Sequence, residues 1–192
     1  MAKKITIEIK EQVNKKPVVR PKNLPISLII GSWKEQFTDA QVKLIIAEAL
    51  NDCTFNHKLH IVGYLITNKK VYLVLKIVQA DLAKMLDVFF EKVRKLICQR
   101  HDKSRSLDTR TNDEGNIIRL DESSKKLFLQ CTLINDHLIK LITGQQVTLP
   151  YYDPHLVRLK EQIHNNNYCS ALDYSGAKGP VIIIKNSRIE ST

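Results

Sequence analysis

The apolar and polar positions predict the clearest helix between about Asp81 and Arg100. Leu82, Met85, Leu86, Phe89, Phe90, Val93, Leu96 and Ile97 recur at three- and four-residue spacing, while Lys84, Asp87, Glu91, Lys92, Lys95 and Gln99 fill the opposite face. A stripe this regular is core packing, so it is assigned no catalytic role. Upstream, Pro25 to Ile30 reads as a buried strand and Gly31 to Phe37 as a loop holding Trp33. Thr38-Asp-Ala-Gln41 has the form of a capping box, in which the threonine caps the helix and the glutamine reaches back. Val42, Ile45, Ile46 and Ala49 give that helix its apolar stripe, and Asn51 is its predicted stop.

Between the two helices, residues 57 to 77 hold two apolar runs around a polar turn at Thr67 to Lys69. In the second run Val71, Leu73, Leu75 and Ile77 face one way, and Lys70, Tyr72, Val74 and Lys76 the other. The order strand, helix, strand, strand, helix opens a ferredoxin-like α+β sandwich, an antiparallel sheet with helices on one face. Lys70, Tyr72 and Lys76 then lie on a second face left free for a ligand. Further on, Asn135 to Ile142 reads as a short helix stopped by Gly144. Asp153-Pro154 opens another, with Asp at the cap and Pro in the first helical position, and it ends at Asn165 to Asn167. A loop from Tyr174 to Pro180 leads to a strand from Val181 to Ile184, and no internal repeat is found.

Composition adds a partner class. The 192 residues carry a net charge of +10, an excess that suits a polyanion such as DNA or RNA. The chain divides into a basic segment at 1–23, read as a mobile arm or an edge strand, and one α+β domain over 24–192. A polar loop at about 101–122 interrupts that domain. It carries Lys103, Arg105, Arg110 and Arg119 and is either a phosphate-contacting loop or a solvated linker. Cys53, Cys98, Cys131 and Cys169 are scattered singly, without zinc-ligand spacing. His57 and His60, three apart on a strand, would point to opposite faces, so no metal site is expected from them. No run approaches the roughly 20 apolar residues of a membrane span, and the first residues lack an apolar signal core. No membrane association and a cytoplasmic location are the expectation.

The run from His57 to Ile77 resembles the central hairpin of the single-tyrosine transposases, including the repeat-associated kind. Asn68 corresponds to the turn asparagine of that family and Tyr64 to a tyrosine of its preceding strand. Ile134 to Ile142 resembles the segment leading into the family's nucleophile helix. Tyr168-Cys-Ser-Ala-Leu-Asp-Tyr-Ser-Gly176 is similar to its C-terminal signature. Order and spacing agree across roughly residues 25 to 185.

The resemblance implies a helix-borne tyrosine that attacks a DNA phosphodiester, and a His-hydrophobic-His pair holding a divalent metal on the scissile phosphate. At the positions of that pair this chain has Lys70, Val71 and Tyr72, and the nucleophile position falls near Thr143 or Gly144. The implied protein is therefore a DNA-binding relative with a degenerate centre and no cofactor. It would bind single-stranded or hairpin DNA through Lys70, Tyr72, Lys76, Arg105 and Arg110, with Tyr72 or Trp33 stacking on a base. A homodimer is the family expectation. Two alternatives stay open. One is an active strand-transferase with a rearranged, metal-dependent site, in which Tyr151 or Tyr152 is the nucleophile and His155, four residues after Tyr151, its neighbour on one helix, although Pro150 and Pro154 work against a continuous helix through 151–155. The other is a protein-interaction module that keeps only the ancestral fold.

Overall fold

The computed structural model describes residues 20–107 and 127–185. Strand β1 (Lys22–Ile30) is followed by a 3-10 turn at Ser32–Gln36 and helix α1 (Asp39–His57). The hairpin β2 (Ile61–Ile66) and β3 (Lys70–Ile77) leads into α2 (Leu82–Leu107), and β4 (Phe128–Thr132) completes the sheet. Three further helices follow: α3 (Asp136–Ile142), α4 (Pro154–His164) and the short α5 (Ala171–Tyr174). The sheet is antiparallel throughout, in the order β2-β3-β1-β4. The fold is α+β, and its first six elements follow the β-α-β-β-α-β order that the alternation of patterns opened.

Several local predictions hold for the reasons given. Thr38 accepts the Gln41 backbone N–H, and the Gln41 side chain accepts that of Thr38, a complete capping box. Asn135 and Asp153 cap α3 and α4, and Pro154 fills the first helical position of α4, where its missing N–H costs nothing. Gly144, just past α3, has φ +76. The α2 stripe is buried as read, with Leu82, Leu86, Phe89, Val93 and Ile97 in the core and Met85, Phe90 and Leu96 packed against it.

Other boundaries move. Helix α1 does not stop at Asn51 but runs to His57, because Asn51 turns its amide outward and bonds the C-terminal segment. Its Nδ2 donates to the Pro180 carbonyl and its Oδ1 accepts from the Ile182 N–H. Gly31 to Phe37 is largely a 3-10 turn rather than a loop. Helix α2 continues to Leu107, so residues 101–107 of the expected polar loop are helical, and the rest of that loop, through 122, lies outside the described residues. So does the basic segment up to residue 19; its end at 23 overlaps β1, which begins at Lys22. Residues 181–184 are not a strand, because side chains as well as backbone take their N–H groups. Val181 donates to the Tyr64 hydroxyl and Ile182 to Asn51, while Ile184 alone donates to a strand carbonyl, that of Ile61.

The largest departure concerns the second face of the sheet. Helices α1 and α2 cover one face, over Ile26, Leu28, Ile30, Val71, Leu73 and Leu75. The other face was expected to be free. Instead α3 and α4 pack on its β2–β3 half, where Val62, Leu65 and Val74 join Leu138, Ile142 and Ile163 in a second apolar cluster. A β-bulge makes this possible. Ile61 pairs with Leu75 and Gly63 with Val74, so Val62 and Gly63 together oppose one residue. Both then face α3. A Cβ on Gly63 would sit 2.6 Å from the Ile142 carbonyl oxygen, so the end of α3 rests directly on the glycine backbone.

Two measurements test this packing. Gly63→Ala is expected to destabilise the fold by about 2 kcal/mol, through the overpacking it forces under α3. Urea unfolding will read the loss, and hydrogen exchange in α3 will rise before that in α2. The second concerns Asp52, which accepts a hydrogen bond from Lys92 at 2.7 Å and ties α1 to α2. That bond holds the Asp52 carboxyl below its ordinary value. Its contribution, about 1 kcal/mol or less for a partly exposed pair, is complete above the ordinary Asp range and disappears as pH falls through the lowered value. Asp52→Asn will therefore narrow its stability gap to the wild type as pH falls through that range.

Candidate nucleic-acid interface

The covered face redistributes the expected site residues. Lys70 and Lys76 stand at opposite ends of β3, partly exposed and exposed respectively. Between them Val74 is buried and Tyr72 is half-buried against the second cluster. The two lysines therefore do not border one open track. Trp33 is no stacking surface either. It is buried at 6% exposure, its indole N–H donates to the Leu127 carbonyl, and it meets Phe37 and Phe128 edge-on. An indole in this position is a core residue, and its expected contact to a base is corrected accordingly. Arg105 lies in the last turn of α2, and Arg110 lies outside the described residues.

The arrangement required by the rearranged strand-transferase is not formed. Helix α4 begins at Pro154 and Asp153 caps it, so Tyr151 precedes the helix and shares no helical face with His155. The X-Pro geometry is responsible, since a residue before proline is pushed out of the helical region. Tyr151 and Tyr152 stand open to solvent, at 67% and 79% exposure.

At the position where the family resemblance places a nucleophile, Thr143 ends α3 and its hydroxyl bonds the carbonyls of Ile139 and Lys140. Gly144 beside it has no room for a side chain, because a Cβ would lie 2.4 Å from the ring of Tyr174. Tyr64 is buried and Tyr174 half-buried. Burial pushes the hydroxyls of Tyr64 and Tyr174 up from the ordinary tyrosine value, away from the phenolate that attack on phosphorus requires.

The C-terminal run that resembles a family signature has a structural task. Residues 168–170 lie along the free edge of β2: Ile66 donates to the Tyr168 carbonyl, and Ser170 donates to that of Tyr64. The Ser170 hydroxyl is fully buried, accepts the Tyr64 N–H and lies within bonding distance of the carbonyls of Tyr64 and Ile142. The Tyr174 hydroxyl donates to the Val62 carbonyl at 2.7 Å. Asp173 accepts the Gly179 N–H through Oδ1, while its buried Oδ2 has no partner among the described residues.

Of the residues most suited to an anion, Lys76 alone was singled out as a nucleic-acid contact from the pattern. Helix α1 ends at His57, Lys58 turns the chain in a left-handed conformation (φ 56, ψ 35), and Leu59 tucks into the core. This turn replaces the strand expected over 57–60. It brings His57 and His60 to one pocket instead of opposite faces. The pocket, about 390 Å³, is completed by Lys58, Lys76 and Lys84, with Asp81 as its one carboxylate and Ile77, Met85 and Val88 as its apolar wall. Among the described residues none of these lysines forms a salt bridge. A larger groove of about 800 Å³ between α3, α4 and α5 has no such bias, since Lys160 and Glu161 offset each other on its rim. The signal for the first pocket was a His-Lys-x-His run beside Lys76, which a strand reading split between two faces.

Among the described residues no cluster of three or more His, Cys, Asp or Glu is placed to hold a metal ion, and no helix is long and apolar enough to cross a membrane. Comparison of the chain with protein-family models, with curated proteins and with solved structures gives no match in any of the three.

The thiols give a check on this arrangement. Cys98 is exposed, Cys131 half-buried, and burial pushes the Cys53 and Cys169 thiols up to about 11. In an alkylation time course followed by mass spectrometry, Cys98 will label first and Cys131 more slowly. Cys53 and Cys169 will label only on unfolding.

Proposed function

We propose that the protein binds DNA, as a single strand or a hairpin, without cutting it. The observation that carries this reading is the pocket at the end of α1, where His57, Lys58, His60, Lys76 and Lys84 gather around a single carboxylate. The net charge of +10 supports it, because lysines without acidic partners keep their charge available for phosphates. Among the described residues Phe55, Tyr151 and Tyr152, rather than Trp33, are exposed aromatic rings available to stack on bases. The six-element core is read as ferredoxin-like, in keeping with the resemblance to single-tyrosine transposases. Lys70 and Tyr72 in place of the metal-binding pair, and Gly144 closed off by Tyr174, support binding without cleavage.

A second reading, a protein-interaction module, has its own support. The β2–β3 half of the second face is already covered by α3 and α4, while Leu129 on β4 and Ile134 just after it are 57% and 82% exposed. One experiment separates the two. A fluorescent DNA hairpin with a single-stranded flank is titrated with the protein across a salt series, with and without magnesium or manganese, and the same samples are run on a denaturing gel. The DNA-binding reading expects affinity that falls steeply with salt and no covalent adduct. Absence of binding at low salt would leave the interaction module, and an adduct would restore a cleaving enzyme.

A further inference from the structure

The turn that builds the basic pocket is made by an unfavourable residue. Among the described residues Lys58 is the one non-glycine with a positive φ. Glycine takes this left-handed conformation freely, whereas a lysine Cβ is crowded by its own backbone. The turn itself uses only backbone groups, since the N–H of Lys58 and that of Leu59 both donate to the Cys53 carbonyl. Nothing in its closure calls for an ammonium group. What the lysine adds is charge on the pocket wall.

The pocket is also concave and two-sided in character. Lys58, Lys76 and Lys84 with His57 and His60 supply nitrogen donors, and Ile77, Met85 and Val88 supply an apolar surface. Its volume of about 390 Å³ lies in the range of small-ligand sites, which spans roughly 300–1,000 Å³. An internal phosphodiester carries one charge and must enter and leave along a groove. A phosphomonoester ends the chain and carries a charge of about −1.5 to −2 at neutral pH. We propose that this pocket binds a phosphomonoester with its attached nucleoside, the phosphate among the lysines and the sugar and base against Ile77, Met85 and Val88. The monoester is either the phosphorylated end of a DNA strand or a free nucleotide. The strand-end form rests on the DNA-binding reading above, and the free-nucleotide form does not.

The test compares otherwise identical single-stranded oligonucleotides bearing a 5′-phosphate, a 3′-phosphate or neither, at fixed salt, by fluorescence anisotropy. A deoxynucleoside monophosphate and inorganic phosphate are titrated separately by calorimetry. One terminal phosphate is expected to tighten binding on the order of tenfold, the effect of one added charge-assisted contact. Lys58→Gly and Lys84→Gln should each remove most of that gain, and Lys58→Arg should keep it. Because glycine relieves the strained turn, Lys58→Gly should at the same time raise Tm by about 2–4 °C, so lost binding cannot be assigned to misfolding. Equal affinity for all three oligonucleotides, with no uptake of the monophosphate, overturns the proposal and leaves salt-dependent DNA binding standing. A gain that survives both variants also overturns it. If no oligonucleotide binds at low salt, the DNA-binding reading fails. Lys58-dependent uptake of the monophosphate then supports the free-nucleotide form, and its absence overturns the proposal outright.

Discussion

A single buried hydroxyl joins the parts of this molecule. Ser170 lies where the edge of β2, the C-terminal end of α3 and the segment 168–170 meet; its hydroxyl accepts the Tyr64 N–H and holds its one proton within bonding distance of the Tyr64 and Ile142 carbonyls. Each of those groups belongs to a different obligation. The Tyr64 amide would otherwise be an unpaired edge donor, and the Ile142 carbonyl is one of the helix-end acceptors that an α-helix always leaves over. Gly63 allows the helix end to come close enough for this sharing, because a side chain there would collide with the same carbonyl. The second layer of the fold therefore depends on one missing Cβ and one small hydroxyl. An apolar cluster alone would not have positioned α3 to within a hydrogen bond.

Much of the first layer was legible in the residues. A period of 3.6 in α2, a period of 2 in β3 and side-chain caps at Thr38, Asn135 and Asp153 are local signals, and local signals survive folding unchanged. The second layer was not legible, because nothing local distinguishes a strand face that meets solvent from one that meets a helix contributed some seventy residues later. Val74 between Lys70, Tyr72 and Lys76 was the available hint. A buried valine among polar neighbours marks a covered point on an otherwise open face. Strand β4 was missed for a related reason: only Phe128 of its five residues is buried, so it carries almost no alternation.

The candidate site follows the same logic. Lys76 could be placed from the alternation of β3, but its neighbours could not, since they come from the end of α1 and the start of α2. Reading 57–60 as strand separated His57 from His60, and only a left-handed residue at Lys58 reunites them. Such a turn is usually announced by glycine or asparagine. A lysine in that place hides it from sequence and leaves it visible only in the backbone angles. A helix shared by Tyr151 and His155 is excluded on equally local grounds, because proline at 154 starts a helix and cannot sit within one that also contains Tyr151.

Trp33 has a practical bearing of another kind. It is the chain's one tryptophan, held edge-on between Phe37 and Phe128 with its N–H on the Leu127 carbonyl, at the junction where β4 joins β1. Intrinsic emission will therefore behave as a latch sensor for that junction. It will change when β4 unzips and stay constant when an anion enters a pocket built from other elements. A flat fluorescence titration says nothing against ligand binding in this protein, and a shifted spectrum reports on the sheet rather than on an occupied site.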